Sequence, residues 1–112
     1  MKGTFLGELE ELVLLHVGIL YPAAYGVAVM DEIEKQTGRK LHVSAIHSVM
    51  TRLEDKGLLK SHMSDPTDER GGRRKRIFHL TAAGKRALEE AHDMRSQLFD
   101  MIPKVTLQFH IA

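Results

Sequence analysis

Three stretches in which apolar side chains return every three or four residues are followed by two short runs of alternating character, and this order constrains the fold more than any other feature of the chain. Leu6, Leu9, Val13, His16 and Leu20 recur at spacings of 3, 4, 3 and 4, the stripe of an amphipathic helix that Thr4 can cap and that ends before Pro22. A second helix is expected over Tyr25–Thr37, with Tyr25, Val29, Met30 and Ile33 on its buried face and Gly38 as its stop. Ile46, Val49, Met50 and Leu53 then mark i, i+3, i+4 and i+7 of a third helix, which Gly57 ends.

Beyond Gly57 the pattern changes. Leu58–Ser64 and Lys75–Thr81 read as strands, separated by a polar stretch containing Asp65, Pro66, Asp68, Gly71 and Gly72. Three helices followed by a hairpin with a long basic tip predict a mainly α fold of α+β character, a winged helix-turn-helix with a two-stranded wing. Thr81 caps a last, long helix in which Gly84, Ala87, Ala91, Met94, Leu98 and Met101 are spaced 3, 4, 3, 4 and 3. Such a seam requires a partner, and Pro103 stops it. The expected division is 1–80 as the winged helix-turn-helix unit, 81–102 as a C-terminal dimerisation helix and 103–112 as a tail of unassigned role. In that tail Val105, Leu107, Phe109 and Ile111 alternate with polar residues, a strand-like period.

The chain's 112 residues suit one domain, and its 43% hydrophobic and 28% charged content is that of a globular protein. The longest mainly apolar stretch, Leu12–Ala24, contains His16, Gly18 and Pro22 and falls short of a membrane span. Glu8, Glu10 and Glu11 stand where a secretory leader would be positive, and the chain has no cysteine, so a cytoplasmic location is expected. The net charge is only +1, but it is unevenly spread: 6 basic against 8 acidic residues over 1–56, and 10 against 7 over 57–112. Arg70, Arg73, Arg74, Lys75 and Arg76 lie within seven residues, interrupted only by Gly71 and Gly72.

These features point to nucleic acid. With Ile46, Val49, Met50 and Leu53 inward, a helix sends Ser44, Ser48, Thr51 and Asp55 outward and places His47 and Arg52 on the flanks. A major groove admits one such helix, and short hydrogen-bonding side chains approach base edges without steric conflict. The glycine pair lets the basic segment bend over a surface while its guanidinium groups neutralise phosphates or enter a minor groove. The alternative for each is an ordinary solvated face.

The run Ala45-Ile46-His47-Ser48-Val49-Met50-Thr51-Arg52-Leu53-Glu54-Asp55-Lys56-Gly57-Leu58-Leu59 resembles the PadR family of transcriptional regulators. So do Asp65-Pro66-Thr67-Asp68-Glu69-Arg70-Gly71-Gly72-Arg73-Arg74-Lys75-Arg76, Leu80-Thr81-Ala82-Ala83-Gly84, and the upstream Leu6-Gly7-Glu8-Leu9-Glu10 and Ala24-Tyr25-Gly26-Val27. The resemblance covers roughly residues 4–102 and implies a cytoplasmic winged helix-turn-helix repressor, dimeric through its C-terminal helix and released from a promoter by a ligand or stress signal. It maps the recognition helix onto Ser44–Lys56 and the wing onto Asp65–Arg76. The family usually has Tyr at the position of His47, Gly at that of Ser44 and Ser at that of His42. The short C-terminal region resembles the branch with a single dimerisation helix. There the small residues at 84, 87 and 91 permit close approach, Met94, Leu98 and Met101 supply apolar area, and packing of this helix on the first helix of its own chain is the alternative.

Double-stranded DNA and a second copy of the chain are therefore the expected partners, with Ser44, His47, Ser48 and Thr51 supplying sequence preference and Arg73, Arg74 and Arg76 non-specific affinity. No cofactor is expected. A small-molecule effector is a further partner that Met94, Leu98 and Met101 could accommodate at the dimer interface, although plain dimer core accounts for them as well. Seven histidines raise the question of catalysis, but no Ser/His/Asp set or carboxylate pair has the spacing for acid–base work, and no enzyme is expected. His62 and His79, on the two wing strands, can face one another; they lack a third ligand, and no metal site is assigned. The competing class is a protein-interaction module in which Val105–Ile111 adds a strand to a partner sheet.

Overall fold

The computed structural model describes residues 5–65 and 74–108. Its elements are α1 (Glu8–Ile19), α2 (Gly26–Thr37), α3 (Val43–Asp55), β1 (Leu59–Met63), β2 (Arg76–Leu80), α4 (Ala82–Asp100) and α5 (Lys104–Gln108). The change of hydrophobic period thus marks a real change of structure, from three helices to an antiparallel hairpin and back to helix.

The start of α1 differs from expectation. Its N-cap is Gly7, and the Gly7 N–H donates to the Glu10 carboxylate at 2.9 Å, so the third residue of the helix reaches back to close its own first turn. Thr4, the expected cap, lies outside the described residues. The buried side of α1 is also rotated from the stripe read in sequence: Val13, Leu14 and Val17 are fully enclosed, and Glu10 and His16 are buried with them. Tyr25 is the half-buried N-cap of α2 and stands outside the helix; Val29 and Ile33 carry the buried face, with Met30 packed at its margin. Gly38, at φ 79°, ends α2 in the left-handed conformation that glycine adopts without steric cost.

Helix α3 buries Ile46, Val49, Met50 and Leu53 as expected. Together with the α1 and α2 residues, and with Ala24, Leu58, Leu59, Phe78 and Ala87, these form one continuous core. Enclosing a side chain the size of Leu or Ile contributes about 1.5–3 kcal/mol, so α3 is held mainly by this inner face and its outer face is free to vary. Gly57, at φ 78°, turns the chain out of α3 into β1.

The hairpin pairs Leu59 with Leu80, Ser61 with Phe78 and Met63 with Arg76. Ser64 N–H donates to the Lys75 carbonyl at 2.7 Å and extends the pairing toward the tip. Phe78 N–H also donates to the Ala24 carbonyl at 2.8 Å, tying the segment before α2 to the open edge of β2.

Thr81 caps α4, its Oγ1 accepting from Gly84 N–H at 3.0 Å while its hydroxyl donates to the Gly57 carbonyl at 2.7 Å. The first half of α4 packs on its own chain. Gly84 lies so close to β1 that a Cβ there would overlap the Leu58 carbonyl oxygen, and Ala87 is buried, so these two residues serve the protomer's own core and not the free seam to which they were assigned. Ala91 is half-buried, and every described residue from His92 to Gln108 is exposed. An ion pair of 2.7 Å between Arg95 and Glu11 links α4 to α1.

The tail corrects the sequence reading most sharply. Residues Lys104–Gln108 form a short helix where alternation predicted a strand, and Phe109–Ala112 lie outside the described residues. Alternation specifies a strand only where a neighbouring strand can satisfy its backbone, and here Pro103, with φ already helical, has a carbonyl that accepts from Thr106 N–H at 2.9 Å. Strand addition by residues 105–108 to a partner sheet is not supported.

Candidate nucleic-acid interface

Because the core grips α3 through four inward residues, the opposite side is set by geometry. Ser44, His47, Ser48, Thr51, Arg52 and Asp55 are all exposed. The helix begins at His42, whose side chain makes no capping bond. His47 is in close register with α2: a Cβ on Gly26 would come within 2.6 Å of its imidazole, so glycine at the first position of α2 admits the ring. The α2–α3 turn is thereby fixed by a side chain that also belongs to the outward row.

The hairpin stands beyond the C-terminal end of α3. Arg74, Lys75 and Arg76 are exposed, while Arg70 and Arg73 lie outside the described residues. Two of the three described cations are already oriented by neighbours. Lys75 places its ammonium 4.5 Å from the centroid of the Tyr25 ring, a cation–π contact between wing and α2. Arg76 Nη1 donates to Ser61 Oγ at 2.9 Å, and the Ser61 hydroxyl donates to Glu54 at 2.8 Å, which links wing and α3 through three side chains. Lys75 N–H further donates to Ser64 Oγ at 2.9 Å, closing the described base of the loop.

A group not singled out in the sequence lies behind the helix. The Glu10 carboxylate, almost wholly enclosed, accepts from Arg52 Nε on α3 at 3.1 Å and from Lys56 Nζ, at the C-cap of α3, at 2.8 Å, as well as from Gly7 N–H. Burial alone would raise the Glu10 pKa, but the bonds from Lys56, Gly7 and Arg52 outweigh it and hold the carboxyl below its ordinary value. The signal available in the sequence was Arg52 and Lys56 at i and i+4, which needed an anion on the facing helix.

The two wing histidines do meet. His79 Nε2 and His62 Nδ1 are 2.9 Å apart, with ring planes 9° from parallel and centroids 4.8 Å apart. At that distance one ring donates an N–H to the other, the tautomers setting which. The Tyr21 ring meets His79 edge-on at 6.0 Å, and these three residues with Lys60, Ser61 and Leu80 line a shallow cleft of about 470 Å³. Burial first, then the charges of His62 and Lys60, lower the His79 pKa. Among the described residues, no three His, Cys, Asp or Glu side chains are grouped to hold a metal ion.

A three-helix core with an exposed third helix and a basic hairpin beside it defines the winged-helix class. The sequence profile of the Transcriptional regulator PadR-like family matches residues 13–90, more than half of the chain, and the chain belongs to this family. A PadR family transcriptional regulator from Eggerthella lenta DSM 2243 is similar in structure, with a TM-score of 0.66, 28% identity, and coverage of 91% of this chain and 88% of that one. Bacillus subtilis PadR in complex with operator DNA is similar with a TM-score of 0.60 and 20% identity over 74% of this chain and 45% of that one. An uncharacterized 37.1 kDa protein in transposon TN4556 of Streptomyces fradiae is 38% identical over 71 residues, 62% of this chain, which spans only 19% of that protein. Among the described residues, no helix is long and apolar enough to cross a membrane.

Proposed function

We propose that this PadR-like regulator binds double-stranded DNA as a homodimeric, sequence-specific repressor. One observation carries the reading: α3, anchored from behind by four core residues, presents Ser44, His47, Ser48, Thr51 and Arg52 to solvent beside a hairpin bearing Arg74, Lys75 and Arg76. On this reading the hydroxyls and imidazole of α3 contact base edges, and the wing cations, Arg70 and Arg73 included, bind phosphates or the minor groove. The resemblance to a protein solved in complex with operator DNA supports DNA binding.

Residues 1–80 would then be the DNA-binding unit and α4 the dimerisation element. Met94 and Leu98 on α4 and Met101 at its C-cap are exposed, as are Leu15 and Ile19 on α1, and these apolar side chains suit a two-fold partner. Such a partner sets two α3 helices about 34–36 Å apart on one DNA face. Ala91 would lie at the margin of this contact. A small apolar effector would enter between the paired helices, and a cytoplasmic location accords with the proposed role.

The test is fluorescence anisotropy with a duplex selected by the protein from a random pool, titrated across salt beside an unselected duplex. The reading expects preference for the selected duplex and a steep salt dependence, with the slope reduced by about one for each phosphate-contacting cation removed in Arg74→Ala and Arg76→Ala. Salt-independent, equal binding of both duplexes would overturn it.

A further inference from the structure

A guanidinium group has two edges with which to engage a planar acceptor, and the Glu10 carboxylate occupies the Nε side of Arg52 at 3.1 Å. Among the described residues, the Nη1 and Nη2 groups of Arg52 donate no hydrogen bond, and the side chain remains 53% exposed on the outward-facing side of α3. Glu10, by contrast, has a side chain only 8% exposed, with Oε1 accepting from Gly7 and Oε2 from Arg52 and Lys56. It belongs to α1, which takes no part in the outward row, so it can touch DNA only through the residues it holds.

We infer that Glu10 is a positioning residue for DNA recognition: it clamps Arg52 from behind so that the free Nη1/Nη2 edge is presented from α3, already oriented, to the acceptor pair of a guanine. This rests on the DNA-binding reading above and assigns to it a residue buried beneath the interface. The physical gain is preorganisation. An unrestrained arginine carries large rotamer freedom and must lose it on binding, whereas a guanidinium pinned at Nε has spent that entropy in folding. Lys56, one turn on and 2.8 Å from the same carboxylate oxygen, is drawn inward by the same anion, so that the C-terminal half of α3 shows one directed cation in place of two mobile ones.

Simple electrostatics and positioning predict opposite outcomes, which makes the test sharp. Removing a negative charge from beneath a DNA-binding face strengthens phosphate attraction, so Glu10→Gln should tighten binding if charge alone matters. If Glu10 positions Arg52, Glu10→Gln weakens binding to the selected duplex about tenfold, as losing one oriented charge-assisted contact does, even as the net charge becomes more positive. The double variant Glu10→Gln/Arg52→Ala then binds no more weakly than Arg52→Ala alone, because the clamp has nothing left to hold. Circular dichroism and thermal melts of each variant identify the temperature at which all are folded, and binding is read there. Should Glu10→Gln fail to fold, Arg52→Lys keeps the ion pair's charge but removes the planar edge; the inference expects it to lose the preference for the selected duplex while keeping the salt slope.

Unchanged or tighter binding by Glu10→Gln, additive effects in the double variant, or wild-type preference in Arg52→Lys would each overturn the inference and leave the DNA-binding reading standing. A wild-type protein that selects no duplex overturns both.

Discussion

Gly84 shows how much one missing methyl group decides. It sits in the first turn of α4, where alanine would gain about 1 kcal/mol in helix propensity, yet its Cβ would occupy the space of the Leu58 carbonyl oxygen. Overpacking against backbone typically costs about 1–3 kcal/mol, and that oxygen also accepts from Thr81 N–H, so it cannot move without breaking the joint between β1 and α4. Gly84→Ala is therefore expected to lower stability despite its better propensity, which urea unfolding at fixed protein concentration checks. The His62–His79 pair gives a second expectation. The His79 pKa is lowered in the folded protein, so between that value and the usual imidazole value the unfolded chain binds more protons. The stability His79 contributes is complete above the usual imidazole value and is lost as pH falls through the window below it. With Lys60 paired opposite His79 and Tyr21 at its edge, the described neighbours offer no carboxylate to offset a second proton. Melting temperatures between about pH 8 and about pH 5.5 should fall for the wild type and change less for His79→Gln; equal slopes for the two proteins would refute this.

At the scale of elements, legibility followed the strength of the local period. The inner face of α3, Ile46, Val49, Met50 and Leu53, was readable because four apolar residues at helical spacing leave one way to fold. The same geometry made the exposed row of Ser44, His47, Ser48 and Thr51 readable in advance. The α1 stripe was less so, because both Leu9 and Leu14 fit apolar faces and only the packing of α2, α3 and α4 around the helix decides that Leu14 is enclosed and Leu9 marginal. Glu10 escaped notice for a related reason: a buried carboxylate becomes sensible only once cations 42 and 46 residues away are seen to meet it. The start of α3 carries a defect where the family usually has Ser. With no side-chain acceptor at His42, the first turn leaves backbone N–H groups to solvent, and His42→Ser is expected to stabilise the protein by about 1 kcal/mol. A denaturant midpoint that does not rise would show that the first turn is held by other means.

For the whole molecule, the decisive asymmetry lies between the two ends of α4. Its first half is anchored by Gly84 and Ala87, and its second half carries Met94 and Leu98 to solvent, with Met101 exposed at its C-cap and Leu98 55% exposed. On the dimer reading, Leu98→Glu leaves the core of residues 5–90 intact but produces monomers in sedimentation and reduces affinity for a two-half-site duplex far more than for a single half-site. A variant that still sediments as the wild type would place the interface elsewhere. The molecule extends 59 × 37 × 20 Å. Residues 92–100 are exposed and meet α1 through the Arg95–Glu11 ion pair, so on the dimer reading a second copy supplies the apolar contact this half of the helix lacks. On that reading, pairing and seating on DNA become one event that draws two molecules from the free pool. Operator occupancy would accordingly rise as the square of dilute protein, so that a twofold change in synthesis gives about a fourfold change in bound promoter. On the dimer reading, a helix left half bare makes the regulator a measure of its own abundance.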